Sequence, residues 1–159
     1  MAAPTPYPIL RSPKSLSQMQ VVIYRLEQRI DQLSTAALGG AGSTQEGTAT
    51  ANLAVGEVVY ADGAGSLDKA KADAQATSSV VGIVTTAALA TATATIQTSG
   101  VVTNSGWALT TDNIYYLSKD TSGVLTATAP TATGELVVAV GIAVSATELK
   151  LLSIPPILL

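Results

Sequence analysis

Between Leu16 and Leu33 the apolar residues fall at alternating steps of three and four: Leu16, Met19, Ile23, Leu26, Ile30 and Leu33. That spacing lines all six along one seam of a helix, with Leu16, Ile23 and Ile30 at heptad position a and the other three at d. Ser15 stands where it caps the helix, Gln18 completes a capping box, and Gly39-Gly40 stop the helix. The pattern predicts a helix over 15–37 that associates with copies of itself. The alternative, an amphipathic helix packed on its own domain, calls for a wider and less regular stripe. Ile at a with Leu at d favours two strands, whereas Val22 at g widens the apolar face toward three.

From Asn52 the period changes. Short runs rich in Val, Ile, Thr and Tyr alternate with Gly, Ser, Asn and Asp turns, which is the pattern of strands in half-buried sheets. Strands are expected at Val58–Tyr60, Val80–Thr85, Thr91–Thr98, Ile114–Ser118, Val124–Thr128, Leu136–Val144 and Glu148–Leu152. Two halves of this region resemble each other. Leu53–Tyr60 aligns with Leu109–Tyr116 at an offset of 56, and Val81-Gly82-Ile83 with Val140-Gly141-Ile142 at an offset of 59. A turn with Ser and Gly lies between the blocks in both halves (Gly65-Ser66 and Ser122-Gly123). The reading is a small antiparallel β-barrel or sandwich over 52–153, made of a duplicated unit.

The remaining segments connect or extend these two. Residues 1–14 carry Pro4, Pro6, Pro8 and Pro13, which hold the backbone extended. Tyr7, Ile9, Leu10 and Arg11 then form a stiff arm suited to docking on another protein at reduced entropic cost; the alternative is a disordered tail. Residues 38–51 (LGGAGSTQEGTATA) read as a flexible linker. Residues 154–159 (IPPILL) are an apolar tail whose prolines bar it from the middle of a sheet, so it is expected to pack on a neighbour.

Composition narrows the chemistry. Only 12% of residues are charged while 47% are hydrophobic, so apolar surface is expected to be shared between subunits. There is no Cys and no His. Thiolate nucleophiles, Cys-ligated zinc, the usual general base near neutral pH and a Ser-His-Asp arrangement are therefore excluded. No GxSxG or phosphate-cradling GxxxxGK[ST] occurs, and no cofactor and no catalytic activity are expected. Residues 1–36 carry four basic and two acidic side chains, and the rest four and nine. Such a diffuse positive end is too small to hold nucleic acid. The prolines of 1–14 occupy the place of a signal peptide's apolar run, and no apolar run reaches the ~18 residues of a membrane span. Neither export nor a membrane partner is expected.

Few side chains suggest a site. Asp62, Asp68 and Asp73 do not match the spacing of a calcium loop and read as solvated turn carboxylates. Trp107, the only tryptophan, follows Asn104-Ser105-Gly106. It is a core or interface anchor, or alternatively a platform for a sugar. Tyr115 and Tyr116 point to opposite faces of one strand, so at most one is core.

The blocks GEVVYADGAGSLDKAKADA, VVGIV and TIQTSGVV, followed by NIYYLSKDTSGVLTATAP and VVAVGIAVSATELKLL, resemble a small β-domain of tailed-bacteriophage virion proteins. The resemblance covers residues 53–153. It implies a place on the virion among capsid decoration (cement) proteins, head fibres or tail appendages, commonly as homotrimers. A short arm and short coil without a long shaft favour decoration. The expectation is a homotrimer on the outer surface of the capsid, made in the host cytoplasm, with itself and the major capsid protein as partners. The rival is a head or tail fibre appendage that binds a host-surface glycan or protein.

Overall fold

The computed structural model describes residues 42–62 and 64–159. The arm over 1–14 with Tyr7, Ile9, Leu10 and Arg11, the helix over 15–37 with its seam, and residues 38–41 lie outside the described residues. Among the described residues there are strands and loops without helix: β1 (Thr44–Thr48), β2 (Val58–Ala61), β3 (Leu67–Lys69), β4 (Val80–Thr86), β5 (Thr93–Gln97), β6 (Val101–Thr103), β7 (Ile114–Leu117), β8 (Leu125–Thr126), β9 (Leu136–Val137), β10 (Ala139–Ser145), β11 (Glu148–Leu151) and β12 (Ile157–Leu158). They form a first sheet in the order β1-β5-β4-β2-β3, a second in the order β6-β11-β10-β7-β8, and a pair β12-β9. The strand pairings are antiparallel throughout. The fold is mainly β.

The two larger sheets follow one plan. Substituting β6, β7, β8, β10 and β11 for β1 to β5 converts the first strand order into the second. Their registers agree as well. Val58 faces Ile83 and Val59 faces Gly82 in the first sheet; Ile114 faces Ile142 and Tyr115 faces Gly141 in the second. Both break register at matching places, between Val59 and Tyr60 and between Ala139 and Gly141, and again at Val84/Thr86 and Ala143/Ser145. The left-handed positions coincide too: Gly56 (φ 90°) with Asp112 (φ 66°), and Gly65 (φ 82°) with Gly123 (φ 75°). Asp is among the residues that tolerate this conformation, which lets it stand where the first unit has glycine.

Side chains alternate between two cores. Val59, Val84, Ala94 and Ile96 on one face of the first sheet are buried with Leu53, Leu67 and Ala49. Their counterparts Tyr115, Ala143 and Leu149 lie in a larger core that also takes Val58 and Ile83 from the opposite face of the first sheet. The larger core thus joins the two units.

Three expectations change. The first sheet curls until its outer strands meet, with an isolated bridge between Ala49 and Leu67. Beyond that bridge β1 and β3 do not pair as a ladder, and β6 and β8 do not pair, so neither sheet closes into a barrel. Second, the linker over 38–51 ends early, because Thr44–Thr48 pair along their whole length with Gln97–Thr93 as β1. This edge strand is held by backbone bonds and buries little side chain. Third, Leu136–Val144 is two strands. Val138 leaves the ladder to give its carbonyl to the Leu117 N–H at 2.9 Å.

The tail does find an edge. Pro155 and Pro156 precede β12, which pairs Ile157 with Val137 and Leu158 with Leu136. Leu159 closes the pair, accepting from the Gly134 N–H at 2.9 Å and donating to the Glu135 carbonyl at 3.0 Å. Backbone bonds fix the tail, yet Ile157, Leu158 and Leu159 stay exposed, Leu158 by 67%.

Candidate interaction surfaces

The turn carboxylates are used locally. Asp62 Oδ1 accepts from the N–H groups of Ala64 (3.0 Å) and Ser66 (2.9 Å), and so closes the β2–β3 turn. Asp68 accepts from the Lys69 N–H at 2.7 Å. Asp73 pairs with Lys71 Nζ at 2.9 Å and accepts from the Thr77 hydroxyl at 3.0 Å, which together hold its carboxyl below the usual range. The three are not brought together. Among the described residues no three metal-ligating side chains cluster.

Trp107 is half-buried. One side packs on the larger core and the other lines a groove of about 520 Å³ with Glu57, Asn104, Tyr115 and Val124. The groove's wall includes Gly56, which lets Asn104 and Trp107 come close: a Cβ there would lie 2.0 Å from Asn104 Nδ2 and 2.9 Å from Trp107 Nε1. Its polar wall mostly serves the fold. Glu57 binds Lys69 Nζ at 2.7 Å and accepts from the Ala54 N–H at 2.8 Å. Asn104 donates to the Val55 carbonyl at 3.3 Å and accepts from the Gly106 N–H at 2.9 Å. The Tyr115 hydroxyl accepts from the Thr110 N–H at 2.9 Å. Trp107 is thus a core anchor with one side open to a groove. Its partners Gly56 and Glu57 went unnoticed in the sequence, where they lie about fifty residues from it. Tyr115 is buried and Tyr116 only half so, as their alternation requires.

Glu135 organises the loop that carries β9. Its carboxylate pairs with Lys119 Nζ and accepts from the N–H groups of Thr131 (3.2 Å) and Ala132 (3.1 Å). Lys119 first, then the Ala132 N–H, holds the Glu135 carboxyl below 4.5, and Glu135 in turn raises Lys119. A lowered carboxyl pKa favours the folded loop above the ordinary value, and that support is lost as pH falls through the folded one. Protection of the Thr131 and Ala132 amides against exchange, taken relative to the intrinsic rate at each pH, is therefore expected to fall as pH drops through the lowered Glu135 value. The Glu135→Gln variant should show the faster rate at neutral pH. Equal rates in the two proteins would remove Glu135 from this role. The effect is local, since both side chains are solvated.

Comparison of the chain with protein-family models and with curated proteins finds no match.

Proposed function

We propose that the chain is a bacteriophage capsid decoration protein, a homotrimer that binds the outside of the assembled shell and stabilises it. The observation that carries this reading is the C-terminal strand. Ile157, Leu158 and Leu159 are held in place by backbone bonds and still directed outward. A ridge that is both apolar and fixed meets a partner with little ordering cost. The heptad seam, the sparse charge and the proline-rich arm support self-association and docking in the same way. Three copies match a threefold or quasi-threefold axis of an icosahedral shell, so one contact serves all subunits. Arms reaching neighbouring capsid subunits add avidity, and a trimer that binds only the assembled shell stabilises it by mass action.

Deleting residues 1–13 tests this. The helix cap at Ser15 is retained, and the β-region begins well beyond the cut. The truncated chain should stay folded and oligomeric while binding undecorated particles at least about tenfold more weakly, a loss of ~1.4 kcal/mol. Undiminished binding would pass the contact to the β-region or the tail. A second reading, an appendage that binds a host-surface glycan, draws on the open side of Trp107 and its groove. Binding to host cells rather than particles, abolished by Trp107→Ala, would select it.

A further inference from the structure

The two units share one plan but differ in what touches them. The turn between β7 and β8 docks on the first unit. Gly123 accepts from the Val58 N–H at 2.9 Å and donates to the Ala70 carbonyl at 2.7 Å, while Ser118 accepts from the Ala72 N–H at 3.0 Å. Gly123 sits so close that a Cβ on it would lie 3.2 Å from Glu57 Cβ. Beneath this turn, Val58 and Ile83 of the first sheet are 0% exposed, while Tyr60 and Val80 on the same face are half-buried. Tyr60 and Val80 pack against the same core.

Each half of that contact has a counterpart left over. The turn equivalent to Ser118–Gly123 is Asp62–Gly65, and a Cβ on Gly65 would meet nothing within 4 Å. The face equivalent to Val58, Tyr60, Val80 and Ile83 is Ile114, Tyr116, Ala139 and Ile142. Ile114 is 41% exposed, and the other three are half-buried and outside both cores. No loop carbonyl among the described residues accepts from the Ile114 N–H. Where the covered face has the Glu57–Lys69 ion pair at its edge, the uncovered one has Asn113 and Ala127, with the charge of Lys150 opposite Ile142 on β11.

We propose that the Asp62–Ser66 turn of one copy covers the Ile114–Ile142 face of the next, as the Ser118–Val124 turn covers the Val58–Ile83 face within one chain. The backbone bonds differ: Gly65 already gives its N–H to the Asp62 carbonyl at 2.9 Å, and Pro130, the counterpart of Ala72, has none to give. The occupant is a second copy because the counterpart of the covering turn is itself exposed at Ala64 and Gly65, with nothing near Gly65 to bar the approach. The contact is head-to-tail, with a different patch on each side, so it either closes a ring or runs on as a filament. Three copies would close six equivalent units around one axis. The inference builds on the self-association in the proposed function and adds which surfaces meet.

The chain has no cysteine of its own, so full-length Ala64→Cys/Asn113→Cys can be cross-linked with a short bismaleimide. Both positions are exposed, and Asn113 is the counterpart of Glu57 beside Gly123. The double variant should give covalent species at two and three times 16.0 kDa on a denaturing gel. Each single variant should give none, because the two patches differ. Adding Ile114→Asp should reduce the yield at least tenfold. Light scattering on the same samples separates two kinds of failure. An oligomer that gives no intermolecular product, although both thiols accept a label, overturns this contact alone. A cross-link confined within one chain does the same. A monomer that yields no product overturns the contact and self-association together.

Discussion

Replacing Gly141 with alanine should destabilise the folded chain by about 1–3 kcal/mol, the usual cost of forcing a methyl group into a packed site. At this length that is a fall in Tm of roughly 2–12 °C. A Cβ at this position would lie 2.6 Å from the Lys150 carbonyl oxygen and 2.7 Å from Leu149 Cγ. Of the two, the carbonyl decides the outcome. A leucine side chain rotates away, whereas a strand carbonyl moves only with its ladder. The Gly141→Ala penalty should therefore persist in a Leu149→Ala background, where the side-chain clash is gone. Leu149→Ala itself empties a fully buried site at a cost of about 2–5 kcal/mol. Gly82, the counterpart in the first sheet, meets the same obstacle, with the Gln97 carbonyl oxygen 2.5 Å from its would-be Cβ. Denaturant unfolding of Gly82→Ala and Gly141→Ala should give similar losses. If either variant is as stable as the parent, the close approach at that strand crossing is wrong.

These glycines also explain why the repeat was legible in the sequence. Val-Gly-Ile occurs in both units because the central strand needs a buried branched residue, a position without a side chain, and another branched residue. Two tyrosines mark the neighbouring strand in the same way. The offset grows from 56 to 59 because the second turn is longer: Asp62–Ser66 is matched by the seven residues 118–124, and one more follows before β10. What escaped the sequence lacked apolar alternation. β1 reads TQEGT, exposed at nearly every position, and only its backbone belongs to the sheet. Leu67–Lys69 and Val101–Thr103 are too short to show a period. The groove beside Trp107 was half legible. The tryptophan stands out in the sequence, but Gly56 beside it matters only through contact with a distant loop. The uncovered Ile114–Ile142 face was hidden for a related reason. In sequence it looks like its covered counterpart, and only the fold separates the two.

Substituting both Ile23 and Leu26 with aspartate should abolish the trimer. The two residues are adjacent a and d positions at the middle of the seam, so in three strands the double variant places six carboxylates in one short stretch of interface. An unpaired charge buried at such a site costs several kcal/mol. The predicted helix over 15–37 makes only about six turns and three heptad layers of a and d, so the coil has little to spare. Light scattering after size exclusion should move from about three times 16.0 kDa toward 16.0 kDa at micromolar concentration. The β-region should keep its circular dichroism and its thermal transition, because the described residues of its two cores run from Ala49 to Leu149. If the proposed head-to-tail contact forms, it remains available and should drive reassociation as concentration rises, so the mass should depend on concentration where the parent's does not. Replacing the same residues with leucine and isoleucine, which exchanges shape but keeps the seam apolar, should preserve a stable oligomer. A trimer that survives the aspartates unchanged would show that the seam is not what holds the copies together. A parent chain that runs as a monomer would remove the seam from assembly altogether.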